Sequence, residues 1–141
     1  MKRIFMGAFL FGVGLIGMLD GIVFHQLLQW HSVYMPTDRF HQIVSDGLFH
    51  LLVTGIIFIS GLFLWKGDHH VHGGIFWGGL LLGGGSFNLL EGIIDHHLLQ
   101  IHHVKPGPYQ LHYDLAYDLA ALLFLLAGWL LYRQGQAAQS R

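Results

Sequence analysis

Four stretches of this chain, 4–19, 51–65, 73–90 and 119–132, contain no charged side chain. Apolar runs of that length are buried either in a large core or in a bilayer, and 141 residues cannot wrap a core around four of them. A helix rises 1.5 Å per residue, so crossing the hydrocarbon layer takes roughly 20 residues. Each stretch falls a little short. Each therefore completes its crossing with polar residues from one flank: Asp20 and His25, Asp46 and His50, the segment 91–97, and Asp114 with Asp118. The pattern predicts an all-α integral membrane four-helix bundle in a single domain, 1–141, with spans at about 4–30, 42–65, 74–101 and 112–132.

Composition closes the other routes. Only 11% of residues are charged, against about a quarter in a soluble domain. Aromatic residues make up 14%, too many for a disordered segment. The absence of cysteine excludes disulfides and thiolate metal sites. A net charge of −1 offers no basic surface to nucleic acid. Lys2, Arg3, Lys66, Arg133 and Arg141 flank one side of the spans, and only Arg39 and Lys105 the other. The positive-inside rule then places both termini and the 66–73 loop in the cytoplasm. The first span reads as a retained helix, because Asp20 and His25 interrupt it and no small-residue cleavage site follows. With this orientation every polar flank falls in the exterior half of the membrane.

An internal repeat is superimposed on the spans. Asp20-Gly-Ile-Val-Phe-His25-Gln-Leu-Leu-Gln-Trp-His31 aligns with Glu91-Gly-Ile-Ile-Asp-His96-His-Leu-Leu-Gln-Ile-His102 at an offset of 71, with seven of twelve positions identical. The same offset pairs Val33 with Val104 and His41 with His112. Repeats of about 4–66 and 73–133 predict two helical hairpins related by a pseudo-two-fold along the membrane normal. On an ideal α-helix, residues four or eleven apart share a face. Asp20 with His31, Asp46 with His50, Glu91 with Asp95 and His102, and Asp114 with Asp118 are thereby grouped. His25 and His96 point about 140° away from Asp20 and Glu91, toward a neighbouring helix. Gly21 and Gly92, one turn earlier, leave room for that neighbour.

Carboxylates in hydrocarbon cost about 2.5–3.5 kcal/mol each unless paired, protonated or metal-bound. No Lys or Arg lies in this layer to pair with them. A divalent cation would cancel their charge, and mixed imidazole and carboxylate ligands suit Zn, Fe or Cu. The candidate metal ligands are Asp20, His25, Asp46, His50, Glu91, Asp95, His96, Asp114 and Asp118. The competing reading is a protonated carboxylate–histidine network that fixes helix packing. His31, His41, His97, His102, His103 and His112, with Asn88, Tyr113 and Tyr117, are assigned to partners of those ligands or to a rim at the exterior opening. The run Asp68-His69-His70-Val71-His72 reads as a solvated turn, and Trp30, Trp65, Trp77 and Trp129 as part of an interfacial belt.

Three segments carry a resemblance. Ser45-Asp-Gly-Leu-Phe-His50, the run from Phe87-Asn-Leu-Leu-Glu91 through His102-His-Val104, and Tyr113-Asp-Leu-Ala-Tyr-Asp118 resemble a bacterial family of predicted four-span membrane proteins classed as a domain of unknown function. The resemblance covers nearly the whole chain. It implies a four-helix fold in a bacterial inner (plasma) membrane and assigns no activity.

Three functions fit these residues. One is a Cu- or Fe-dependent membrane oxidoreductase taking a small or lipophilic substrate from the bilayer, with hydrolysis by a Zn-bound water as a variant. Another is a metal transporter, chaperone or sensor, although the inner halves of the spans are almost purely apolar and offer no through-path. The last is a haem b electron carrier with His25 and either His96 or His50 as axial ligands. The expected partners are the lipid bilayer and a metal ion, with homo-oligomer contacts a further candidate.

Overall fold

The computed structural model describes residues 1–67 and 70–140; Asp68 and His69 of the histidine-rich turn, and Arg141, lie outside the described residues. The order is α1 (Lys2–Asp20) continuing into a π-helical segment (Gly21–Leu27), α2 (Arg39–Trp65), α3 (Gly73–Glu91) continuing into a second π-helical segment (Gly92–Leu98), and α4 (Gln110–Gln139). No strand occurs among the described residues.

Three helices are long and apolar enough to cross a membrane: Lys2–Leu27, Arg39–Trp65 and Gln110–Gln139. The sequence reading counts α3 as a fourth. It is rich in glycine and ends on Asn88 and Glu91, and it falls outside those three. The first and third helices also end earlier than the expected limits of 30 and 101, at Leu27 and Leu98.

Among the described residues, α1 packs on α2 and α3, and α3 on α4; the α2 backbone does not come close to that of α3 or α4. The central α1–α3 contact depends on glycine. A Cβ on Gly12 would collide with the Leu80 carbonyl oxygen, and one on Gly83 with the Phe9 carbonyl oxygen. Backbones this close require residues without side chains. The outer helices meet the central pair in matched fashion. Gly7 faces Leu64 as Gly78 faces Tyr132, and Gly14 faces Ile57 as Gly85 faces Leu125. The central helices correspond at an offset of 71 and the outer ones at 68 (132 − 64), so the second connection is three residues shorter. Tyr109, not His112, therefore matches His41.

Burial is inverted relative to a soluble protein. Asp20, His25, His31, Asp46, Ser60, Asn88, His96, His102 and Asp114 are buried, while Leu48, Leu51, Leu52 and Phe58 of α2 and Leu119, Leu122, Leu123 and Leu126 of α4 are exposed. Water would not tolerate that apolar surface, and a bilayer solvates it at no cost.

Candidate metal centre

The π-helical segments are the local cause of the site. Their wider turn, closed by i→i+5 hydrogen bonds, brings residues five apart onto one face. His25 thereby swings back over Asp20, with Nε2 and Oδ2 3.1 Å apart. This corrects the α-helical expectation that His25 points about 140° away from Asp20. Two residues past each π segment stands a glutamine in the left-handed region, Gln29 and Gln100, both at φ 51°. The chain reverses there, and His31 and His102 fold back under the helix ends instead of extending to a rim. That is the second correction: both are buried at the centre.

The two returning loops cross. His31 Nδ1 donates to the Val104 carbonyl at 2.8 Å, and His102 Nδ1 donates to the Val33 carbonyl at 3.0 Å. The two rings stack with centroids 4.7 Å apart and planes 4° from parallel. His25 stands edge-on to His31 at 4.6 Å, and His96 edge-on to His102 at 4.9 Å. Four imidazoles thus form one cluster, with Asp20 at one end and Glu91, 3.5 Å from His102 Nε2, at the other.

The hydrogen bonds fix the tautomers. A carbonyl oxygen only accepts, so Nδ1 of His31, His102 and His50 (2.8 Å from the Asp46 carbonyl) carries the proton. His25 Nδ1 is likewise held by Asp46 Oδ1 at 3.0 Å. The Nε2 atoms of His25, His31, His50 and His102, both ring nitrogens of His96, and Asp20 Oδ2 are left buried without a hydrogen-bond partner. Buried polar atoms without partners are rare in folded proteins. Imidazoles whose Nδ1–H is anchored and whose Nε2 lone pair is bare have the arrangement of metal ligands. Candidate ligand atoms of Asp20, His25 and His31 lie within 4.8 Å of one another, as do those of His31, Glu91 and His102. Burial, then the neighbouring His102 and His25, push the His31 pKa down to about 3, so its ring is neutral at physiological pH. Burial acts the same way on His102, but the neighbouring Glu91 carboxylate outweighs it and raises that pKa.

The remaining candidates divide. Asp46 accepts from the Val33 N–H at 2.9 Å as well as from His25, and Asp114 accepts from the Val104 N–H at 2.9 Å and from His103 at 2.7 Å. Both carboxylates are spent on orienting imidazoles and loops. His50 Nε2 lies beside Gly21, where a Cβ would come within 2.7 Å of it. Asp118 occupies the matching place beside Gly92 and pairs with His97 at 2.7 Å. Asp95 is half-buried and lines a cavity together with Glu91 and His102. The Tyr117 hydroxyl donates to Glu91 Oε2 at 2.6 Å and lies 3.0 Å from Asn88 Oδ1. Tyr113 sits outside, edge-on to Trp30, with Lys105 over both rings. His41 is exposed and paired with Asp38, and His112 is exposed against Tyr109, so neither belongs to the cluster.

A family model described as "Predicted membrane protein (DUF2243)" matches residues 7–135. The chain belongs to that family. The match takes in α2, α3, both π segments, most of α1 and α4, and every residue of the imidazole cluster. No curated protein and no solved structure matches the chain.

Proposed function

We propose that this DUF2243 protein is a metal-binding membrane protein whose centre holds a divalent transition-metal ion on Asp20, His25 and His31, with a second place on Glu91 and His102 that shares His31. One observation carries the reading: the bare Nε2 atoms of four clustered imidazoles, His25, His31, His96 and His102, lie buried without hydrogen-bond partners beside two carboxylates. Charge supports it. Asp20 and Glu91 have no Lys or Arg within salt-bridge distance among the described residues, and one dication cancels both. The donor set of neutral imidazole and carboxylate oxygen suits Cu(II), Fe or Zn.

The finer features belong to the same proposal. All four helices span a bacterial inner membrane, with both termini cytoplasmic and the centre in the exterior half. The repeats of about 4–66 and 73–133 are related by a pseudo-two-fold along the membrane normal; the paired glycine contacts and the exchanged His31–Val104 and His102–Val33 hydrogen bonds support it. Copper or iron would supply redox chemistry and make the protein an oxidoreductase. A transport role is less well supported, because glycine-tight packing of Gly12 and Gly83 closes the other half of the bundle. A haem role is less well supported too, since Asp20 and Glu91 crowd the imidazoles.

The test is metal content by mass spectrometry on detergent-purified protein, with an optical spectrum of the same sample. At least one Cu, Fe or Zn per chain, lost in His25→Ala and retained in His112→Ala, is expected. Protein that stays metal-free after incubation with all three ions overturns the proposal. A Soret band would replace it with the haem reading.

A further inference from the structure

We propose that a lateral cavity of about 320 Å³ reaching the centre takes a lipophilic phenol from the bilayer, an inference that rests on the metal reading above. The cavity lies where the α2 backbone stands off α3, the two helices meeting through side chains and leaving a cleft beside α1. Phe9, Phe49 and Phe87 wall it, and Phe49 and Phe87 meet at 6.1 Å. Its lining residues Leu90 and Ile94 are 59% and 42% exposed on the apolar flank of the protein, so its mouth faces lipid. Its inner end carries Glu91, Asp95 and the buried His102, whose Nε2 has no hydrogen-bond partner. These groups only accept hydrogen bonds or ligate. An occupant therefore needs an apolar body, a flat face for the phenylalanine rings and a donating head.

The protein supplies its own example of that head. A matching cavity between α1 and α4 has Tyr117 at its polar end with Asp20 and Asn88, and the Tyr117 phenol donates to Glu91 at 2.6 Å. At the offset of 68 that relates the outer helices, the residue matching Tyr117 is Phe49, which carries no hydroxyl. The head of a bound phenol supplies an O–H where the chain does not, donating to Asp95 and placing its oxygen toward a metal held by Glu91 and His102. A phenol meets this demand better than an amine, because the bound cation already cancels the carboxylate charge.

The experiment uses zinc-loaded protein in phosphatidylcholine nanodiscs, with zinc content measured in the same sample. Ring-fluorinated 4-hexylphenol is titrated and followed by fluorine NMR against empty discs, with the matching methyl ether as the control lacking a donor. Saturable phenol binding at least tenfold tighter than ether binding is expected. It should weaken at least tenfold in Val13→Phe, which fills the cavity, and in Leu90→Trp, which blocks the exposed mouth without touching the core, both with zinc content unchanged. Zinc-loaded protein that binds phenol and ether alike, or that is indifferent to both variants, overturns the inference and leaves the metal centre standing. Protein that takes up no zinc, copper or iron overturns both.

Discussion

His31 and His102 do more to define the centre than any other pair of side chains. Each is held through Nδ1 by a carbonyl from the opposite loop, so a bare Nε2 is presented without a side-chain search. His31→Ala and His102→Ala should each reduce metal affinity at least tenfold, whereas His41→Ala should leave it unchanged; competition against a chelator dye measures this. Asp46 acts one step removed. Asp46→Ala frees both His25 and the Val33 N–H, and loss of such an orienting partner costs about 10–100-fold in metal affinity. Asp46→Asn, which keeps one carbonyl oxygen for the Val33 N–H, should fall between Asp46→Ala and wild type. The identities of these residues were legible in the sequence, since the repeat set His31 opposite His102 and the lack of cations marked the carboxylates. Their roles were not. Straight-helix geometry turned His25 away from Asp20 and sent His31 to a rim, because neither a π turn nor a left-handed glutamine leaves a recognisable pattern in these apolar segments.

At the scale of elements, the α1–α3 pair is the spine. Its two closest points, Gly12 against Leu80 and Gly83 against Phe9, admit no side chain. Overpacking a tight contact costs typically 1–3 kcal/mol. Gly83→Ala should therefore lower the thermal unfolding midpoint in detergent by several degrees. Gly55→Ala on α2, where a Cβ meets nothing within 4 Å, should leave it unchanged or slightly raised. The helices themselves were readable from charge-free runs. The tight glycine contacts were not separable from chance, because 20 glycines make close-packing motifs common in any such chain. The offset between α2 and α4 was also hidden. Shortening the second connection by three residues moves Asp114, not Tyr117, into the place of Asp46.

For the whole molecule, the lipid-facing leucines of α2 and α4 and the buried polar cluster describe a protein turned outward to hydrocarbon and inward to charge. Its topology can be checked directly because the chain has no cysteine. Thr37→Cys and Ser140→Cys lie at opposite ends of the helices. With the centre facing the exterior, a membrane-impermeant maleimide should label Thr37→Cys in intact cells and Ser140→Cys only after lysis. The opposite pattern would invert the orientation and put the centre on the cytoplasmic side.

The proposed centre depends on imidazoles that ligate a metal. X-ray absorption at the metal edge of loaded, detergent-purified protein tests this most directly. Zinc–nitrogen distances of about 2.0–2.1 Å with the outer-shell scattering of two or more imidazoles are expected, and that imidazole signal should collapse in the His31→Ala/His102→Ala double variant. A shell of oxygen alone, or an imidazole signal that survives the double variant, would contradict it.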